Sequence, residues 1–218
     1  MMNALQKLEE KIVTCRKCPR LVEYIDGIRA KYPSYWCKPV PGFGDENAAI
    51  MLLGLAPGRF GSNRTGRMFT GDASGNFLYP ALHKMGLANQ PNATENNDGL
   101  QLQNVFITAV GRCAPPQNKP TPQELKECLP YVAEEIKWLP KLRVVLALGK
   151  IAHDNYLRLN RHRLALYPFK HGAVYAFENG PILVDSYHPS RQNTNTGVLT
   201  EKMFLEVLSK TKQLAGIG

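Results

Sequence analysis

Four short apolar runs separated by helix-like segments constrain the fold of this chain more than any other feature. The runs are AAIMLLGL (48–55), NVFITAV (104–110), RVVLALG (143–149) and PILVDSYH (181–188). Such nearly continuous apolar runs are typical of strands buried on both faces of a parallel sheet. Candidate helices between and after the runs span residues 75–86, 122–138, 149–160 and 200–214. The alternation predicts an α/β fold with helices covering both faces of the sheet.

Three further segments lie outside this alternation of strands and helices. Residues 3–31 have helical periodicity interrupted at the turn CRKCP, and residues 31–47, which contain several prolines, predict a loop. VYAF (174–177) is a candidate strand that pairs with the last apolar run as a hairpin. Because the chain shows neither a repeat nor a linker, we expect one domain over residues 1–218.

The N-terminal sequence and the net charge indicate the cellular compartment of the protein and the kind of ligand that it attracts. Glu9 and Glu10 interrupt the region that would be apolar in a signal peptide, so we expect a cytoplasmic protein without a membrane segment. Lys and Arg total 27 against 18 acidic residues, which gives a formal net charge of +9. Such an excess favours association with a polyanion, although a basic surface kept for solubility is the simpler alternative.

Polar and glycine-rich segments follow three of the predicted strands. They are GLAPGRFGSN after the first strand, GRCAPPQNKP after the second and HPSRQN after the fourth. Ligands of parallel α/β sheets bind beyond the carboxyl ends of the strands. We therefore expect these loops to converge on one site. The glycine-rich loop lacks the Gly-Lys-Ser/Thr of a triphosphate-binding loop.

Individual residues in these loops are candidates for chemistry. An imidazole at His188 could donate a hydrogen bond to a developing oxyanion, whereas the other histidines are expected to be structural. The amide of Asn118 could contact a base edge, and Lys119 suits a phosphate. The alternative for Asn118 is a rigid turn in which its side chain caps its own backbone.

The cysteines have the spacing of a metal site. Cys15 and Cys18 form a C-x-x-C pair, and Cys113 and Cys128 would complete a set of four ligands. Both a zinc ion and a [4Fe–4S] cluster accept four cysteines, and the spacing alone slightly favours zinc. Ordinary buried cysteines are the alternative, and this is the role we expect for Cys37.

Taken together, the motifs resemble one family. GLAPG, GSNRTGRMFTGDASG, RCAPPQNKPTP and YHPSRQNTNTG occur in this order, and the likeness extends over nearly the whole chain to the type 5 uracil-DNA glycosylases of thermophilic archaea and bacteria. The resemblance implies the uracil-DNA glycosylase fold, a three-layer α/β/α sandwich on a central four-stranded parallel sheet.

The resemblance also implies a cofactor. Members with this arrangement carry a [4Fe–4S] cluster, which implies Cys15, Cys18, Cys113 and Cys128 as its ligands. On this basis we expect the cluster to dock the N-terminal helical segment 1–31, and we expect its role to be structural.

The reaction implied is hydrolysis of the N-glycosidic bond of uracil in DNA, without strand cleavage. In this assignment His188 stabilises charge on the uracil O2, Phe69 stacks on the flipped base, and Asn118 contacts the base or positions water. The alternative for Phe69 is a core aromatic residue. The remaining substrate-binding candidates are the small or apolar residues of the first motif and the start of the last: Gly54, Leu55, Ala56, Gly58, Ser190 and Arg191. Arg191 is placed as a wedge in the base stack.

Asp72 is the candidate for positioning the water or stabilising charge. Other branches of the superfamily have a polar side chain near Leu55 and Ala56, but GLAPG offers none. Asp72 in TGDASG is the nearest carboxylate, although an N-cap of the following helix is the alternative role. The candidates for phosphate contacts are Arg59, Arg64, Arg67 and Lys119.

The expected partners are double-stranded and single-stranded DNA that contain uracil or other deaminated bases. We expect a monomer at the nucleoid, with a sliding clamp as a further partner. Two rival functions remain at this point. One is a non-catalytic, metal-stapled nucleic-acid-binding protein, and the other is a nucleotide hydrolase, which the missing phosphate-loop motif disfavours.

Overall fold

The central sheet has the parallel core predicted from the sequence. In the computed structural model, which describes residues 2–218, the strand order is β1-β3-β2-β4-β6-β5. Four parallel strands form the middle: β2 (Ile50–Gly54), β3 (Val105–Ala109), β4 (Val144–Leu148) and β6 (Ile182–Ser186). Each lies inside one of the predicted apolar runs.

Two short antiparallel strands enlarge the sheet beyond the four strands predicted. β1 (Phe43–Gly44) pairs with β3 in the segment predicted to be a loop, and β5 (Val174–Tyr175) pairs with β6 as the predicted hairpin. The sheet formed by residues 2–218 therefore has six strands, with the antiparallel pairs at its two edges.

Helices flank the sheet close to their predicted positions. The long ones are α1 (Ala4–Val13), α2 (Pro19–Lys31), α4 (Ala73–Lys84), α5 (Pro122–Trp138), α6 (Lys150–Leu159) and α8 (Glu201–Ala215). Short helical segments that were not predicted are α3 (Ser62–Thr65), α7 (Arg191–Asn195) and the 3-10 turns Pro116–Asn118 and Leu164–Leu166. Within residues 2–218, no helix combines the length and the apolar character needed to cross a bilayer.

The core lies in two layers, one on each face of the sheet. On one face, Leu52 and Leu146 pack in a cluster with Phe204 of α8 and with residues of α4. On the other face, Met51 and Val145 pack in a cluster with residues of α5 and α6. This is the predicted α/β/α sandwich, and it follows from the alternation of side chains along each strand.

The N-terminal helices pack outside these layers. α1 contributes Leu8 and Ile12 to a small cluster with Tyr131 of α5. α2 contributes Leu21 and Ile25 to another cluster with Cys113, in the loop after β3. The N-terminal segment is thus attached to the sandwich next to the predicted cysteine ligands.

The strand register brings the carboxyl ends of the parallel strands to one edge. Gly54 of β2 lies opposite Ala109 of β3, and Leu148 of β4 lies opposite Ser186 of β6. The loops that follow β2, β3 and β6 therefore leave the sheet side by side, as predicted.

Candidate functional site

A cavity of about 930 Å³ opens where these loops meet. Its wall contains nearly every residue predicted for catalysis or substrate binding. These are Leu55, Ala56, Gly58, Phe69, Asp72, Asn118, His188, Ser190 and Arg191. Gly54, the remaining candidate, lies behind the ring of Phe69 at the end of β2.

Phe69 forms the back of the cavity. Its ring packs so closely on β2 that a Cβ atom on Gly54 would lie 2.9 Å from the Cζ of Phe69. Its backbone has a φ of 53° and its N–H donates to the Oγ of Ser62 over 2.9 Å. The ring is mostly buried in the core and also borders the cavity, so it combines the structural and the functional positions considered for it.

His188 follows β6 and presents its ring to the cavity. Burial lowers the pKa of His188 from 6.5 to about 4, so the imidazole is neutral near pH 7. Its carbonyl oxygen accepts a hydrogen bond from the Nδ2 of Asn193 over 2.9 Å, which fixes the backbone. The ring itself makes no hydrogen bond within residues 2–218. Its centroid lies 6.0 Å from the centroid of the Phe69 ring. It is positioned to donate to a ligand.

The position of Asp72 is compatible with both roles considered for it, the N-cap of a helix and a carboxylate that positions water or stabilises charge. It is the N-cap of α4, and its Oδ1 accepts from the N–H of Gly75 over 3.0 Å. Burial raises the pKa of Asp72, against the opposing effect of backbone N–H donors. The Oδ2 lies beside Gly58 and Gly61, where a side chain at Gly61 would collide with the carboxylate. These glycines make room for Asp72, a steric role that the sequence did not indicate.

Asn118 lies at the opposite rim on a strained turn. Gln117 and Asn118 have φ values of 54° and 57°, a left-handed conformation that is uncommon for side-chain-bearing residues. The Asn118 side chain is exposed, and within residues 2–218 its amide makes no hydrogen bond to its own turn. The amide is therefore directed outward, where a ligand can reach it.

Ser190 and Arg191 begin a helix that was predicted as a loop. The Oγ of Ser190 accepts from the backbone N–H of Asn193 over 3.3 Å and caps α7. Arg191 is the first residue of α7 and lies exposed at the rim of the cavity.

The four candidates for phosphate contacts have different environments. Arg67 is buried and forms a two-pronged ion pair with Asp98, with contacts of 2.8 and 2.7 Å, so the prediction of a phosphate contact there is wrong. Arg64 pairs with Glu95 at 2.5 Å. Arg59 lines the cavity and Lys119 is exposed, and neither forms a salt bridge within residues 2–218.

The predicted cysteine ligands surround a common space. Cys15 follows α1, Cys18 precedes α2, Cys113 lies in the loop after β3, and Cys128 lies in α5. Burial raises the pKa of Cys18 to about 11, and Cys128 and Cys15 raise it further. Burial also raises the pKa of Cys113, which the other three thiols raise further. The four thiols are thus close enough to interact electrostatically.

Their spacing does not match a single-ion site. Among the residues that the structure describes, no three His, Cys, Asp or Glu side chains are close enough to hold one metal ion. Zinc needs sulfur ligands at about 2.3 Å from the metal. The slight preference for zinc drawn from the sequence is therefore not supported. Cys37 lies apart, fully buried, and its Sγ accepts from the Nδ2 of Asn63 over 3.5 Å, as expected of a packing residue.

The cavity also contains residues that the sequence did not single out. Tyr24 enters its wall from α2, and Phe60 enters from the glycine-rich loop. Tyr24 has no signal in the sequence, because its helix lies far from the motifs. Phe60 follows Arg59 in a loop of small residues, and this aromatic–basic pair could have indicated a binding role.

A histidine–aspartate pair lies outside the cavity wall. The Nδ1 of His153 is 2.8 Å from the Oδ1 of Asp185, and its Nε2 is 2.9 Å from the carbonyl oxygen of Tyr167. Both side chains are buried. This arrangement joins α6 to β6 and gives His153 the structural role that was expected.

Comparisons with known proteins identify similar sequences over the whole chain. Residues 41–212 match the family model of the Uracil DNA glycosylase superfamily. A type-5 uracil-DNA glycosylase of Thermus thermophilus is 51% identical over 213 residues, which cover 95% of this chain and 97% of that protein. A type-5 enzyme of Mycobacterium leprae is 43% identical over 99% of this chain and 97% of its own length. A type-4 uracil-DNA glycosylase of Pyrobaculum aerophilum is 32% identical over 85% of this chain and 83% of its own.

Proposed function

Because the chain belongs to the uracil-DNA glycosylase superfamily, we propose that it is a DNA-repair glycosylase. It hydrolyses the N-glycosidic bond between uracil and deoxyribose in DNA and leaves an abasic site. The observation that carries this proposal is the cavity in which the loops after β2 and β6 bring together His188, Asp72 and Phe69, with Asn118 from the loop after β3. A base within a duplex cannot reach such a cavity unless its nucleotide is flipped out of the stack.

His188 would stabilise the leaving base. Cleavage of the bond gives the sugar oxocarbenium character and places negative charge on the uracil. A neutral imidazole that is already oriented can donate a hydrogen bond to the uracil O2 as this charge develops. The lowered pKa of His188 supports this role, because it keeps the ring neutral at the pH of the cell without a proton being taken up first.

Asp72 would orient the attacking water and stabilise the positive sugar. Leu55 and Ala56 give the cavity wall no polar group near the start of the loop. The Oδ1 of Asp72 is used in capping α4, which leaves Oδ2 for the water. A raised pKa makes this carboxylate a stronger base than an ordinary aspartate.

The other cavity residues would hold the base. Phe69 stacks on the flipped base, and the small residues Ala56 and Gly58 allow the backbone to approach it. Asn118 contacts the base edge from the opposite rim. Arg191, with Ser190 supporting its turn, occupies the gap in the base stack. A wall without a polar side chain at Leu55 and Ala56 would also admit other deaminated bases.

The four cysteines would hold a [4Fe–4S] cluster. The four thiols interact electrostatically, and four cysteine ligands are what such a cluster requires. Burial raises the pKa of Cys128, and a backbone hydrogen bond from Arg112 together with the charge of its guanidinium partly opposes this effect. The cluster would tie the N-terminal helical segment to the sheet within what we take to be one domain.

The partner of the reaction is DNA, double-stranded or single-stranded. The net charge of +9 supports attraction to the phosphate backbone. We expect a monomer to act, at the nucleoid in the cytoplasm. A sliding clamp as a further partner stays a prediction from the sequence.

The decisive experiment uses an oligonucleotide with a single uracil, incubated with the protein in EDTA and then treated with alkali. Strand cleavage at the uracil position is expected after alkali and not before it, because the enzyme removes only the base. An intact strand after alkali would refute the proposal and favour a non-catalytic nucleic-acid-binding protein.

The cofactor is tested separately by spectroscopy and metal analysis of the purified protein. A brown protein with broad visible absorbance and about four irons per chain is expected. A variant with Cys37→Ser should retain the iron, whereas Cys113→Ser should lose it. A colourless protein with one zinc per chain would contradict the cluster.

A further inference from the structure

An exposed group of aromatic side chains borders the cavity. Phe60 is 53% exposed and Tyr32 is 37% exposed. The rings of Tyr32 and Phe60 meet edge to face with centroids 6.2 Å apart, and Tyr35 stacks on Tyr32 at 4.7 Å. We call Tyr24, Tyr32, Tyr35 and Phe60 the aromatic patch. Large exposed aromatic rings in one place indicate a binding surface.

Arg59 contacts two rings of this patch and has a hydrogen-bond donor without a partner within the described residues. Its guanidinium carbon lies 4.8 Å from the ring centroid of Phe60 and 6.0 Å from that of Tyr24. Its Nε is buried and has no hydrogen-bond partner within residues 2–218. A buried donor without a partner is costly, so a ligand that accepts this hydrogen bond would be stabilised.

A groove leads from the cavity along α2. Its volume is about 430 Å³, and it shares Tyr24 and Arg59 with the wall of the cavity. Lys31 also lines it and forms no salt bridge within the described residues, while Arg20 is paired with Glu124 at 2.6 Å. The groove thus joins the cavity to the two available cations Arg59 and Lys31, and its lining also contains the half-buried ring of Tyr24 and the exposed carboxylate of Glu23.

We propose that the aromatic patch and this groove bind single-stranded DNA next to the flipped nucleotide. An unpaired base stacks on Phe60, and a phosphate accepts a hydrogen bond from Arg59. This inference rests on the proposed function, since it assumes a nucleotide in the cavity. Alternating aromatic and basic groups are the general means by which proteins bind single strands without sequence preference.

Charge favours DNA over a second copy of the chain as the occupant. Two copies with a net charge of +9 each repel one another, whereas a phosphate backbone is attracted. Because the groove is continuous with the cavity, we expect its occupant to extend to the reaction site as well. A strand that already places one nucleotide in the cavity meets this requirement.

The test uses single-stranded oligonucleotides with a stable abasic analogue in the position of the damaged nucleotide. The fluorescent base 2-aminopurine is placed on either side of the analogue. With the wild-type protein we expect quenching at one of these positions, as the probe stacks on Phe60. In Phe60→Ala the quenching is lost and the Kd rises about tenfold, whereas Phe60→Trp retains both.

Trp138 provides the matched control. It is 42% exposed at the end of α5 and has Lys137 over its ring at 5.1 Å, but it lies outside the cavity and the groove. Trp138→Ala should bind the oligonucleotide as the wild type does. Arg59→Met should weaken binding and lower the salt slope by about one unit.

Two results would overturn the inference. One is an unchanged Kd and unchanged quenching in Phe60→Ala. The other is a change in the sedimentation of the free protein by Phe60→Ala with DNA binding intact, which would assign the patch to a second copy of the chain. Failure of the proposed function would be recognised differently, since the wild type would then leave uracil in place whatever these binding experiments showed.

Discussion

Two sets of histidine and aspartate lie near the carboxyl ends of the strands, and their bonding differs. His153 and Asp185 bind each other at 2.8 Å, and the second ring nitrogen of His153 meets a carbonyl oxygen. His188 and Asp72 instead both border the cavity; within residues 2–218 the ring of His188 makes no hydrogen bond, and Asp72 accepts only from backbone N–H groups at the start of α4. A close histidine–aspartate contact is therefore not the mark of the functional site in this protein.

The pKa values differ in the same way. Burial opposes the charged form of both histidines, but the bond to Asp185 raises the pKa of His153 whereas that of His188 falls to about 4. The first histidine uses its polar atoms to stabilise the fold, and the second keeps them for a ligand. The following predictions test this difference, beginning with the largest expected effect.

Replacement of His188 by Ala should lower the single-turnover rate of uracil excision about 10²- to 10³-fold, because it removes the donor for the leaving base. Rapid quenching at saturating enzyme measures this rate. His83→Ala is the control, since His83 is exposed on α4 outside the cavity wall, and it should leave the rate unchanged. A His188→Ala rate within threefold of the wild type would exclude His188 from the reaction.

Replacement of Asp185 by Ala should lower the free energy of unfolding by about 3 kcal/mol, because it leaves a buried histidine without its partner. Denaturation by urea measures this loss, and the folded variant should excise uracil at the normal rate. Asp154→Asn, which breaks an exposed pair on the same α6, should cost less than about 1 kcal/mol. A stable but inactive Asp185→Ala variant would contradict this prediction, because it would assign Asp185 to the reaction rather than to the stability of the fold.

Asp72 can be tested by separating its charge from its capping of α4. Asparagine caps a helix about as well as aspartate, so Asp72→Asn should fold normally but excise uracil about 10²-fold more slowly. Asp72→Ala should lose the same activity and in addition about 1 kcal/mol of stability. DNA binding, measured by fluorescence anisotropy, should change little in both. A fully active Asp72→Asn would reduce Asp72 to a helix cap.

The pH dependence of stability should also reflect the environment of His188. In the folded protein the pKa of His188 lies near 4, whereas in the unfolded chain it is 6.5. Between these values the unfolded chain binds a proton that the folded protein does not, so stability falls as the pH is lowered from 6.5 to 4. The Tm of His188→Gln should decrease less over this range, and parallel Tm curves would contradict the assigned pKa.

The sequence predicted the sheet and the long helices because their signals are local. α5 begins and ends at the predicted residues, since Thr121 and Glu124 form a capping box and Pro122 takes the first position of the helix. The strands are short apolar runs, and β2 and β4 contain no polar side chain at all. β1 was missed because its two residues are held only by pairing with β3, a contact distant in sequence.

The candidate site was predicted as far as its residues follow strand ends. Phe60 and Tyr24 were missed because their place in the wall depends on how the glycine-rich loop and α2 pack, which no periodicity encodes. Arg67 was assigned to a phosphate because nothing in the sequence indicates that Asp98 lies beside it. Buried ion pairs between distant segments are a tertiary property.

The crowding of Asp72 against the glycine-rich loop couples positions that are distant in the sequence. A side chain at Gly61 meets the carboxylate of Asp72, and one at Gly58 would come within 3.2 Å of its Oδ2. A substitution at Gly61 is therefore conditional: it is harmful while Asp72 is present and is relieved when Asp72 is replaced by a smaller residue. Residue 61 and Asp72 are therefore expected to change together in evolution. A protein without this carboxylate would have room for larger side chains in place of the glycines.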